Sequence, residues 1–133
     1  PFPEKILSHL QHELFDLGAD LSTPVGETVQ VPRVTDSQVK QLEQWIDEID
    51  SKIEPLKNFI LPGGSASAAQ LHLTRSVSRR AERALVTLSK SEELNTFVLQ
   101  YLNRLSDLLF MLARYANSAA GVAEVKWEGL GSV

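Results

Sequence analysis

The chain has 133 residues, 43% hydrophobic and 23% charged, a balance that fits a folded domain with an apolar core and excludes a disordered segment. Thirteen Lys and Arg against seventeen Asp and Glu give a net charge of −4, which argues against coating nucleic acid or an anionic membrane through the overall field. The absence of Cys removes disulfide frameworks, Cys-ligated zinc and thiol catalysis, and no apolar run approaches the ~20 residues of a membrane-spanning helix.

The length suits one domain over residues 1–133. A first helix is expected from about Glu4 to Leu21, with Leu7, Leu10, Leu14, Leu17 and Leu21 on one face and Pro3 in the opening turn. Ser22 to Thr35 holds two Pro and one Gly without a sustained period and reads as a long loop. A second helix from Asp36 to about Glu54 carries the stripe Val39, Leu42, Ile46, Ile49 and Ile53, opened by a Thr35-x-x-Gln38 capping box. The apolar Phe59-Ile60-Leu61-Pro62-Gly63-Gly64-Ser65 stretch ends that structure and leads into a third helix from about Ser65 to Leu88, with Leu71, Val77, Ala81, Leu85 and Leu88 as its buried stripe. A fourth helix, from about Glu92 to Asn117, offers Val98, Leu102, Leu105, Leu109 and Leu112. The tail around Val125-Lys126-Trp127 reads as a short strand or an ordered extension. Four amphipathic helices joined by one long crossover predict an all-α, up-and-down helix bundle, whose ligand sites lie between facing helices.

Polar residues on those helices are therefore informative. Arg75, Arg79 and Glu82 share a face of the third helix and, with Arg80 and Arg83, place four positive charges against one negative in an acidic protein. The pattern fits either bidentate binding of phosphate oxygens or a set of surface ion pairs. On the fourth helix, Asn103, Asp107, Phe110 and Arg114 follow spacings of four, three and four, which suits a ligand-facing row, a helix–helix polar seam or a subunit interface. No phosphate-binding Gly-rich loop or dinucleotide fingerprint is present. His9, His12 and His72 lack a metal-ligand set, and Asp47 and Asp50 belong to a solvated acidic face.

Three ordered blocks carry a resemblance: Phe59 to Gly64, Arg75-Ser76-Val77-Ser78-Arg79-Arg80-Ala81-Glu82-Arg83, and Tyr101-Leu102-Asn103-Arg104-Leu105-Ser106-Asp107-Leu108-Leu109-Phe110. Together with Leu14-Phe15-Asp16-Leu17-Gly18-Ala19 they make the chain resemble the trimeric, helical-bundle ATP:cob(I)alamin adenosyltransferases of the propanediol-utilisation type over nearly its whole length. The resemblance implies a five-helix bundle, four long helices of which are visible, assembled as a homotrimer with sites between subunits. It implies transfer of the 5′-deoxyadenosyl group of ATP to the cobalt of reduced cobalamin, with release of triphosphate and with Mg2+ accompanying the nucleotide. Arg79 matches the main polyphosphate contact and Arg75 an interface and cobalamin-side arginine, both implied to be catalytic; with Glu82 and Asn103 they are the implied ATP-binding residues. Phe59 matches the aromatic that excludes the lower axial ligand of the corrin, and Asp107 is expected to support the same pocket. None of these residues is assigned as a metal ligand. A cobalamin reductase and an adenosylcobalamin-dependent enzyme are the implied protein partners, and the implied compartment is cytoplasmic, or mitochondrial in a eukaryote. The family's Thr/Gly/Asp/Lys-rich nucleotide segment does not precede Pro1, so the chain as given is expected to bind ATP weakly. A non-catalytic bundle that binds cobalamin or a partner protein is the alternative.

Overall fold

The computed structural model describes residues 2–129 and contains four helices: α1 Phe2–Ser22, α2 Asp36–Asp50, α3 Ala66–Ser89 and α4 Thr96–Ala119. Each start has a local cause. The Thr35–Gln38 capping box opens α2, the Ser65 side chain accepts from the Ala68 N–H at α3, and the Asn95 side chain accepts from the Phe97 N–H at α4. The Asn95 cap corrects the expected start of α4, at Thr96 rather than near Glu92, and α2 stops at Asp50 rather than Glu54.

Cross-helix contacts fix the directions. Phe2–Tyr115, Glu13–Tyr101 and Asp20–Asn95 pair α1 antiparallel to α4, while Glu43–Arg104 and, just past the end of α2, Glu54–Arg114 set α2 parallel to it. The Ser65–Asn117, Ser78–Ser106 and Glu82–Asn103 contacts set α3 antiparallel to α4. The result is the expected up-down-up-down bundle. The other three helices all pack their backbones on α4 and not on one another. Accordingly α4 buries Val98, Tyr101, Leu102, Leu105, Leu108, Leu109 and Leu112, each such side chain contributing about 1.5–3 kcal/mol through burial.

The periodic stripes of α1 and α3 are only half right. The core face of α1 is Ile6, Leu10, Glu13, Leu17 and Asp20, whereas Leu14 is 40% exposed. On α3 the buried side chains are Ala68, His72, Ser78 and Leu85, while Val77 and Leu88 are exposed. For Leu14 and Val77 the reason is geometric: α1 and α3 stand apart, leaving an apolar groove of about 630 Å3 floored by Leu102, Leu105 and Leu109. No helix of the described residues is long and apolar enough to cross a membrane.

The long crossover is held by one buried carboxylate. Asp20 accepts from Arg33 Nη1 at 2.9 Å, from the Val34 N–H at 2.8 Å and from Asn95 Nδ2 at 2.8 Å. Burial pushes the carboxyl upward, but these hydrogen bonds and the Arg33 charge together hold it below its ordinary range. A depressed folded-state value means that the stabilisation is complete above the unfolded value of about 3.9 and is lost as pH falls through the lowered one. Asp20→Asn is therefore expected to cost about 1.5–3 kcal/mol at pH 7. Urea unfolding at a series of pH values should show this deficit narrowing below pH ~4, as the wild-type carboxyl itself protonates.

Candidate functional site

The α3–α4 seam carries the polar residues singled out from the sequence. Their antiparallel register places Ser65 beside Asn117, Arg75 beside Phe110, Ser78 beside Ser106 and Glu82 beside Asn103. At one end, Arg79, Glu82, Arg83, Val86 and Asn103 line a cleft of about 370 Å3. Asn103 is fixed from both sides: its Nδ2 donates to Glu82 Oε2 at 3.2 Å, and its Oδ1 accepts from Arg104 Nη1 at 2.9 Å. Arg104 in turn lies 3.6 Å from Glu43 on α2.

Arg79, Arg80 and Arg83 are exposed, and among the described residues they make no ion pair. The surface ion-pair reading of the cluster is thus not what the structure forms. Three guanidinium groups are left with their donors available, next to an acid that is engaged by an amide instead. Arg75 is half-buried and stacks over the Phe110 ring, 5.1 Å from its centroid. Behind it, His72 is buried and meets Phe110 edge-on at 5.9 Å. Burial, then the nearby Arg75 charge, lowers the His72 pKa against a smaller opposing pull from Glu124, so the ring stays neutral and adds no charge to the cluster.

Phe59 lies at the far end of the seam. Its loop is clipped to α4 by Asn117, whose Oδ1 accepts from the Ser65 N–H at 2.8 Å and whose Nδ2 donates to the Gly63 carbonyl at 3.0 Å. Gly64 is required there twice over: its φ is +110°, and a Cβ would sit 2.6 Å from Asn117 Cγ. Asn103 and Asn117 are fourteen residues apart on α4, about 21 Å along the axis. Within one chain, then, the structure gathers Arg79, Glu82 and Asn103, sets Arg75 midway, and leaves Phe59 at the other end. Asp107 is exposed, one turn from Asn103, and does not line the cleft or meet Phe59.

Sequence reasoning left Asn117 and Trp127 unassigned and placed Arg114 in a polar row without naming its partners. Asn117 closes the Pro-Gly-Gly turn. Arg114, 5% exposed, donates to Glu124 at 3.1–3.2 Å and to the Glu54 carbonyl at 2.9 Å, tying the tail to the exit of α2. Trp127 meets Phe59 edge-on at 6.0 Å. A polar residue within an apolar helical row, the signal that singled out Arg114, was also available for Asn117.

Comparison with known proteins identifies the family. The family model described as cobalamin adenosyltransferase matches residues 3–116. The chain belongs to the cobalamin adenosyltransferase family. It is 52% identical over 122 residues to the cobalamin adenosyltransferase of Cupriavidus metallidurans, covering 92% of this chain and 64% of that protein. It is 48% identical over 119 residues to the corrinoid adenosyltransferase of Bacillus subtilis, covering 90% and 61%. The chain thus spans less than two thirds of the length of these relatives. Among solved structures, a variant of the PduO-type ATP:corrinoid adenosyltransferase from Lactobacillus reuteri, complexed with cobalamin and ATP, superposes with a TM-score of 0.86 at 37% identity, covering 94% of this chain and 70% of that one. A second variant of that enzyme, complexed with ATP, gives 0.85 at 36%, covering 92% and 68%.

The Gly64 clash yields a direct test. Gly64→Ala is expected to destabilise by about 2–4 kcal/mol, combining backbone strain with overpacking against Asn117. In an Asn117→Ala background the same change should cost only about 1–2 kcal/mol, the strain alone. Urea unfolding of the double-mutant cycle measures the difference, and equal costs in both backgrounds would refute the contact.

Proposed function

We propose that this chain forms the body of an enzyme that transfers the 5′-deoxyadenosyl group of ATP to the cobalt of reduced cobalamin. The observation that carries the reading is the cleft of unpaired arginines beside the fixed Glu82–Asn103 pair. The likeness to family structures complexed with cobalamin and ATP supports it. In this reaction cobalt(I) supplies the electron pair for the new cobalt–C5′ bond. The C5′–O bond breaks, and its electrons leave with triphosphate. The protein needs no activated nucleophile of its own; its work is positioning and charge stabilisation.

Arg79 holds the polyphosphate and stabilises the negative charge that builds on the leaving group, with Arg75 on the cobalamin side of the same seam. Glu82 and Asn103, locked to each other, offer their remaining hydrogen-bonding capacity to the nucleoside. Phe59, 74% exposed, presents an apolar ring to the lower face of the corrin and denies the cobalt its axial ligand. Asp107, exposed one turn along α4 from Asn103 and outside both the cleft and the Phe59 depression, has no direct contact in this reading. Mg2+ arrives on the nucleotide, carried mainly by phosphate oxygens and water.

The separation of Phe59 from Arg79 along the seam supports a site shared between copies in a homotrimer. Phe15 and Leu73, 86% and 62% exposed, supply apolar surface for such contacts. The chemistry also requires a reductase to supply cobalt(I) and an enzyme that consumes the adenosylated product.

Arg79→Ala is expected to lower turnover about 10²–10³-fold at saturating Mg-ATP, as for removal of a transition-state donor. Because the side chain is exposed and unpaired, stability should change by less than about 0.5 kcal/mol. Anaerobic absorbance of the adenosylated corrinoid, alongside urea unfolding, reads both. A variant with an unchanged rate would move the phosphate site elsewhere.

A further inference from the structure

We infer that Trp127 is a positioning residue that holds the Phe59 ring against the corrin, an inference that rests on the cobalamin reading above. The two rings meet edge-on, with centroids 6.0 Å apart and planes at 69°. Neither ring belongs to the core: Phe59 is 74% exposed and Trp127 is 55% exposed. Together with Leu56, Lys57, Asn58 and Glu128 they line a shallow depression of about 480 Å3. An exposed aromatic pair in this setting marks a surface that meets a ligand.

The backbone around the pair is built to keep it registered. The Trp127 N–H donates to the Phe59 carbonyl at 2.8 Å, and the Leu61 N–H donates to the Val125 carbonyl at 2.8 Å. These two bonds flank an antiparallel bridge between Ile60 and Lys126. The tail is secured upstream by the Val122 N–H on the Asn117 carbonyl at 2.9 Å and by Glu124 on buried Arg114. The Phe59 loop is secured downstream by the Asn117 clip on Gly63 and Ser65. Both strands of the bridge are therefore anchored to the last turns of α4.

This arrangement leaves one freedom, rotation of the Phe59 side chain. An exposed phenyl ring on a loop exchanges between rotamers on a fast timescale. Trp127 occupies one edge of that ring and favours the rotamer that contacts it. A ring that must stay under cobalt to keep water or the benzimidazole base away benefits from such a stop. Removing the indole would let the phenyl swing aside and would return an axial ligand to cobalt without touching the nucleotide cleft.

The test uses this chain with cob(II)alamin and saturating Mg-ATP, read by electron paramagnetic resonance, which distinguishes axially ligated from unligated cobalt(II). With Trp127→Ala, the ratio of unligated to ligated cobalt is expected to fall about two- to tenfold, the population change that corresponds to loss of one edge-to-face pair. Trp127→Phe keeps a ring edge on Phe59 and should restore the ratio to within about twofold of wild type. Thermal unfolding should coincide for all three proteins. Wild-type ratios with Trp127→Ala would overturn the inference, and so would a Trp127→Phe protein as impaired as Trp127→Ala. Failure of the wild-type chain itself to bind the corrinoid or to generate the unligated signal would overturn the cobalamin reading, and this inference with it.

Discussion

The structure depends on α4 as a shared packing partner. The other three helices pack their backbones on it and not on each other. A helix enclosed in this way must be apolar over most of its circumference, and the run from Val98 to Ala113 meets that demand. The Glu82 side of the arginine cleft and the turn that follows Phe59 are both bonded to this one helix. A substitution that shifts α4 would move the arginine cleft and the Phe59 loop together.

The polar groups of α4 are where the other segments attach. Asn95 caps the helix with its oxygen and donates from its nitrogen to Asp20 and the Val34 carbonyl, joining the crossover to the bundle. Tyr101 donates to Glu13 at 2.9 Å, and burial followed by the Glu13 charge drives the phenol's pKa far upward, so the pair persists across the physiological range. Asn103 takes Glu82, Ser106 takes Ser78, Arg114 takes Glu124 and the Glu54 carbonyl, and Asn117 takes the Gly63–Ser65 turn. Apart from the exposed Asn103–Glu82 bond, leaving such a partner unsatisfied costs about 1–3 kcal/mol, which makes these bonds specific fasteners on an otherwise non-directional apolar core. Two of the fasteners, Asn103 and Asn117, set the two ends of the proposed site.

Much of this was legible in the sequence. Helix number and order, the Thr35 capping box, the α4 stripe and the phosphate-compatible arginines follow from local spacing, a property of neighbouring residues. What was not legible depends on which helices touch. The Leu14 and Val77 stripes look identical to core-facing stripes, yet they line a groove because α1 and α3 stand apart. The Phe59–Trp127 contact joins residues far apart in the chain through a two-bond bridge that leaves no periodicity to read. Arg114 stood out as a polar residue on an apolar helix and Asn117 could have, but their partners are loop backbone and tail, which spacing cannot name. The arginine cluster was ambiguous for a related reason: whether an exposed guanidinium is paired depends on rotamers and neighbours, and here Glu82 is taken by Asn103.

The central claim is that the α3–α4 seam of this chain brings Mg-ATP and a reduced corrinoid into productive contact. The most direct measurement is anaerobic absorbance spectroscopy of the chain with cob(I)alamin, recorded before and after addition of saturating Mg-ATP. The account predicts conversion to the spectrum of adenosylcobalamin. A cob(I)alamin spectrum unchanged both by the protein and by the nucleotide would contradict it.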